Sequence, residues 1–195
     1  MNWLAHLHLS EPTPAFRLGN LLPDLVSYSE LAKLPAEFQA GIQCHRRIDA
    51  FTDSHPVFRR SVARLQPPYR RFGGILVDIF YDHFLATHWQ TYAAVPLDDF
   101  IADVYRGFQL HWAALPLSSH SPLERMQSEN WLYSYREISG IALTLKRVGQ
   151  RLRRPVDLAG AANILERDYA AFREDFNLFY PQLQADVKAA THAAS

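Results

Sequence analysis

The segment GILVDIFYDHF, residues 74–84, constrains the fold more than any other. Ile75, Leu76, Val77, Ile79, Phe80, Tyr81 and Phe84 make it apolar nearly all round, and a helix of that kind belongs inside a core. It nevertheless carries Asp78, Asp82 and His83. Such a helix needs packing partners on every side and something to hold its ionisable groups. Alternating β-type runs and Asn-Gly or Asp-Gly hairpin turns are missing elsewhere. The expected fold class is therefore all-α: one helical bundle over residues 1–195, with eight to ten helices.

Further local signals place helices. Leu165, Tyr169, Phe172, Phe176 and Phe179 recur at spacings of four and three, which predicts an amphipathic helix ending near Pro181. Ser121-Pro-Leu-Glu124 reads as a capping box, and Asp157 as a cap for the helix after Pro155. Hydrophobic residues make up 48% of the chain, which excludes general disorder. The start, MNWLAHLHLS, lacks a basic region, and histidines break its apolar run, so neither a signal peptide nor a membrane span is expected. The lone cysteine, Cys44, can form no intramolecular disulfide, which suits a reducing cytoplasm. It reads as a small core residue rather than a nucleophile.

Twenty basic residues balance twenty acidic ones, so global charge argues for neither nucleic acid nor membrane as a partner. Locally the balance is uneven. Arg46, Arg47, Arg59, Arg60, Arg64, Arg70 and Arg71 face only Asp49 and Asp53 between residues 45 and 71, and Lys146, Arg147, Arg151, Arg153 and Arg154 form a second run. Each run is either a solvated face or a docking face for an acidic partner.

The chemistry-bearing residues fall in four segments. On the opening helix Asp78 and Asp82 lie one turn apart on the same face. Their mutual repulsion is relieved by a shared proton, by arginines or by a metal ion. In residues 45–56, His45 and Asp49 sit one turn apart, a half-site for a divalent metal or a plain surface pair. Asp24 follows Pro23 at a helix start, where capping is the simpler role. His6 and His8 would diverge on a helix but align on a strand, as core groups, supporting partners or phosphate contacts, ligation being the lesser reading. Together these segments bring carboxylates and imidazoles from otherwise apolar sequence, an excess best satisfied by a cation. An Asp- and His-rich metal site suits phosphate-ester hydrolysis, because a metal activates water and neutralises phosphoryl charge.

The motifs N-W-L-A-H-L at 2–7, G-N-L-L-P-D at 19–24, H-R-R-I-D-A-F-T-D-S-H-P at 45–56 and D-I-F-Y-D-H-F-L at 78–85 resemble those of the acyl carrier protein phosphodiesterases. The likeness continues more loosely through W-L-Y-S-Y-R at 131–136. It implies a fold related to the helical HD-type metal phosphohydrolases. It also implies hydrolysis of holo acyl carrier protein to apo carrier and free 4′-phosphopantetheine, with Mn²⁺ as the metal. On this basis Asp24, His45, Asp82 and His83 are the expected metal ligands. Asp49 and Asp78 are further ligands or orienting groups, and His6 or a water supplies the leaving-group proton. Arg46 and Arg47 are expected on the phosphate or on the acidic carrier, with Asn20 as another substrate contact. The HD superfamily pairs His with Asp in that order, whereas here the order is Asp82-His83. Two rivals remain: a related hydrolase of a nucleotide or small phosphodiester, and a helical binding protein whose Asp and His residues make structural ion pairs.

Overall fold

The computed structural model describes the backbone of residues 1–194 and the side chains of residues 1–190. Its elements are α1 (Trp3–His8), α2 (Pro14–Leu21), α3 (Tyr28–Leu31), α4 (Gln39–Ser54), α5 (Pro56–Arg64), α6 (Gly73–Thr87), α7 (Trp89–Tyr92), α8 (Leu97–Leu110), α9 (Leu117–Ser128), α10 (Trp131–Ser134), α11 (Ile138–Arg151), α12 (Ala162–Arg167) and α13 (Tyr169–Ala194). Short 3₁₀ turns join several of them, and no strand occurs among the described residues. The all-α expectation holds. The helices are more numerous than expected because several last only one turn, too short for periodicity to reveal.

The opening segment is the middle of α6, and α6 is the hub. It packs against α1, α5, α11 and α13, with Leu76, Val77, Phe80, Tyr81, Phe84 and Leu85 all buried. The aromatic stripe of α13 faces it: Phe176 and Phe179 meet Tyr81 at ring distances of 5.4 Å, and Phe172 meets Phe80 at 5.3 Å. Helix α13 does not stop at Pro181 but runs through it to Ala194. Proline removes one backbone donor, and the buried Leu183 and Val187 beyond it supply packing that keeps the helix going. Ser121 likewise lies inside α9, which starts at Leu117, so it caps nothing. A capping box forms instead between Ser27 and Glu30 at the start of α3. Asp157 accepts from the Ala159 amide at 3.0 Å, but the residue at the cap position of the 3₁₀ turn there is Leu158.

A close crossing of α2 and α4 sets the frame of the site. Thr13 accepts from the Phe16 amide and Pro14 occupies the first turn, which starts α2. Gly19 and Gly41 then let the two backbones touch: a Cβ on Gly41 would collide with the Phe16 carbonyl oxygen, and one on Gly19 with that of Phe38.

Part of the first basic run is already spoken for. Asp175 of α13, fully buried, is held by Arg60, by Arg64 Nε at 3.0 Å and by Ser61 Oγ at 2.7 Å. Burial alone would raise the Asp175 pKa, but the arginines and Ser61 outweigh it and hold the carboxyl below its usual range. Asp175→Ala strands these donors at the α5–α13 contact and should cost about 2–4 kcal/mol in a urea titration. A loss below about 1 kcal/mol would show that the cluster does not hold the two helices together.

Candidate active site

Four elements bring the polar groups to one place. Helix α1 supplies His6, the turn after α2 supplies Asp24, and α4 supplies His45 and Asp49. Helix α6 adds Asp78. The His6 and His45 rings stack, with centroids 4.2 Å apart.

Asn20 fixes both rings. Its amide nitrogen donates to the His6 carbonyl at 2.8 Å and to Ser10 Oγ at 2.9 Å, so its Oδ1 is the acceptor facing His6 Nδ1 at 2.9 Å. The backbone carbonyl of the same residue accepts from His45 Nδ1 at 2.8 Å. In their neutral forms both imidazoles therefore carry hydrogen on Nδ1 and a lone pair on Nε2. Both Nε2 atoms turn to Asp49: His6 at 3.3 Å from Oδ1, His45 at 3.0 Å from Oδ2. Asp24 Oδ1 lies 3.8 Å from His45 Nε2, and the Met1 carbonyl 3.1 Å from His6 Nε2.

Acceptors thus face acceptors, and such a cluster holds together only around protons or a metal ion. The charges agree. Asp24, Asp49 and Asp78 are met by one ammonium, the Met1 α-amino group, 3.1 Å from Asp78 Oδ1 and 3.6 Å from Asp49 Oδ1. Burial disfavours that ammonium, yet Asp78 and Asp49 raise its pKa to about 10. Asp78 Oδ1 is buried with the Met1 ammonium as its ion-pair partner, and burial raises the Asp78 pKa against that charge. Burial also opposes the charged forms of His45 and Asp49, but each stabilises the other: the His45 pKa rises, and Asp49 is held well below the usual carboxylate range. His6, His45 and Asp49 offer ligand atoms within 4.8 Å of one another. Two imidazoles and carboxylates form a donor set of the Mn, Fe or Zn type, so the residues present fit a divalent metal.

The structure brings together Asp24, His45, Asp49, Asp78 and His6, and leaves the other expected residues outside. Both oxygens of Asp82 accept backbone amides at the start of α1, Leu4 at 2.8 Å and Ala5 at 3.0 Å. Burial raises its pKa to about 7 against those bonds. His83 is turned to the Tyr135 carbonyl at 2.8 Å and the Tyr169 hydroxyl at 3.0 Å. Asn20, expected to touch substrate, is fully buried with its amide committed, so its place is behind the histidines. Arg47 pairs with Asp186 at 2.7 and 2.8 Å, whereas Arg46 is exposed over Tyr28. Cys44 is half-buried and burial pushes its thiol up to about 11, which leaves no thiolate. His8 points away, to the Tyr180 hydroxyl at 2.7 Å.

The profile of a family described as acyl carrier protein phosphodiesterase matches residues 1–183. The chain is 35% identical over 189 residues to the acyl carrier protein phosphodiesterase of Yersinia pestis, covering 96% of this chain and 98% of that protein. It is 34% identical to the protein of that name from Serratia proteamaculans, with the same coverage. To the one from Escherichia coli O157:H7 it is 33% identical over 188 residues, 96% of this chain and 97% of that one. No solved structure matches.

Proposed function

The chain belongs to the acyl carrier protein phosphodiesterase family, and on that premise we propose that it hydrolyses the phosphodiester of holo acyl carrier protein with a divalent metal, Mn²⁺ being the expected one. Water adds to phosphorus, the bond from phosphorus to the carrier serine oxygen breaks, and apo carrier and 4′-phosphopantetheine result. The observation that carries the metal-dependent form of this reading is the pair of imidazole Nε2 atoms aimed at one carboxylate, each with its Nδ1 held by Asn20. An HD-like helical scaffold is part of the same proposal.

His6, His45, Asp49, Asp24 and Asp78 would hold the metal, which supplies water activation and neutralises phosphoryl charge. The side chains of Asp49 and Asp24 are 42% and 36% exposed and form the edge that substrate reaches. Their oxygens accept hydrogen bonds from the attacking water and orient it. His6 is fully buried, so it serves as a holding group and not as the leaving-group acid. The carrier serine oxygen takes its proton from water on the open side of the site. Asn20 keeps both rings in the tautomer that leaves Nε2 free.

The test follows holo carrier by intact mass with metal-stripped protein, with and without Mn²⁺. Loss of the phosphopantetheine mass only with Mn²⁺ is the expected result. Metal binding without that loss would move the reading to a small phosphodiester. Neither binding nor mass loss would leave the cluster as a structural ion-pair network.

A further inference from the structure

Two of the residues proposed to hold the metal, Asp24 and Asp78, also line a larger cavity. A cavity of 340 Å³ opens beside them, lined by the carboxylates Asp24 and Asp78 and by the apolar side chains Ile75, Ile79, Val148 and Leu152. That volume lies within the range of about 300–1,000 Å³ usual for small-molecule sites. Ile75 is 38% exposed on an otherwise deeply buried helix, an apolar side chain left facing this space.

One cationic side chain lines the cavity among the described residues, Arg151 at the end of α11. Its guanidinium lies over the Trp3 ring at 5.6 Å, and Trp3 stacks on Trp131 at 5.5 Å. The neighbouring arginines differ. Arg147 and Arg125 also lie over Trp131, but both are paired with Glu129. Arg151 has no carboxylate within ion-pair distance among the described residues. It is a guanidinium fork positioned by stacking, with its charge unspent, lining the same cavity as Asp24 and Asp78. An anionic substrate approaching these carboxylates meets repulsion unless a cation accompanies it, and a guanidinium matches phosphate oxygens two at a time.

We infer that Arg151 takes the non-bridging oxygens of the substrate phosphodiester, while the wall of Ile75, Ile79, Val148 and Leu152 takes the pantetheine arm. This rests on the phosphodiesterase reading above and adds the substrate-binding residue that the reading lacks. Arg151 is exposed, and a melting curve of each variant checks that its replacement leaves the fold intact.

The experiment compares wild type, Arg151→Gln and Ile75→Gln with Mn²⁺ present, using holo acyl carrier protein as substrate and 4′-phosphopantetheine or pantetheine as competing ligand. Wild type should be inhibited by 4′-phosphopantetheine roughly 10- to 100-fold better than by pantetheine, the worth of a charge-assisted contact. Arg151→Gln should collapse that preference to within about 3-fold, and Arg151→Lys should restore only part of it. Ile75→Gln should weaken both ligands equally and keep the preference. A preference unchanged in Arg151→Gln overturns the phosphate contact, and unchanged inhibition by both ligands in Ile75→Gln overturns the arm site. Wild type that releases no phosphopantetheine at all would instead overturn the reading beneath.

Discussion

Asp49→Asn should lower kcat/KM on holo carrier protein by about 10³-fold or more while the protein stays folded. Asp49 is the carboxylate on which both histidine Nε2 atoms converge, at 3.0 and 3.3 Å. A metal supplies several kcal/mol of charge stabilisation to phosphoryl transfer, which at 1.36 kcal/mol per decade is a factor of this size. The amide is isosteric but neutral. Its nitrogen can donate to one of the two lone pairs, so the apo variant should melt no lower than wild type, while Mn²⁺ affinity by equilibrium dialysis falls at least about 100-fold. Asp82→Asn provides the contrast. Both Asp82 oxygens accept amides of α1, and an asparagine nitrogen would face one of them donor to donor. Its activity loss should therefore come with a lower melting temperature, because α1 carries His6. Retention of activity within 10-fold by Asp49→Asn would remove Asp49 from the metal site.

These two aspartates show what the sequence could and could not disclose. The four-residue spacing of His45 and Asp49 is a property of one helix, and the structure keeps the pair in contact. Asp78 and Asp82 have the same spacing, yet one turn along α6 the neighbour changes from the carboxylate cluster to the start of α1. His83, rotated about 100° from Asp82, meets Tyr135 just after α10 and Tyr169 of α13 instead. A helix buried on every side offers different partners at each turn, and periodicity names the face without naming what covers it. Long-range pairs are hidden for the same reason. Arg60 and Arg64 read as part of a basic run until Asp175, more than 100 residues away, is placed between them. Arg151, by contrast, has no carboxylate partner among the described residues although it sat in an equally anonymous run. Asn20 lay within a legible motif, but its bracing of both imidazoles depends on the α2–α4 crossing, which only two glycines hint at.

Those glycines carry the second large effect. Gly41→Ala should destabilise the protein by about 3 kcal/mol or more, the upper end of overpacking, because the added Cβ meets backbone and not a side chain that can rotate away. The obstructing atoms are the Phe16 carbonyl oxygen and the Asn20 and Gly19 backbone, all on α2. For a chain of this size the melting temperature should fall by roughly 6–12 °C. Relief requires α2 to retreat, and α2 holds the Asn20 carbonyl that accepts from His45 Nδ1 at 2.8 Å. A shift of about 1 Å breaks that bond and misplaces a reacting constellation, which is worth about 100-fold in rate. The variant should thus lose activity well below its own melting temperature, with KM for the carrier little changed. Gly74→Ala, where an added Cβ meets nothing within 4 Å in the first turn of α6, should be neutral or stabilising by up to about 1 kcal/mol. Equal melting temperatures for Gly41→Ala and wild type would mean that the crossing has slack, and that the histidines are held by something other than the approach of these two helices.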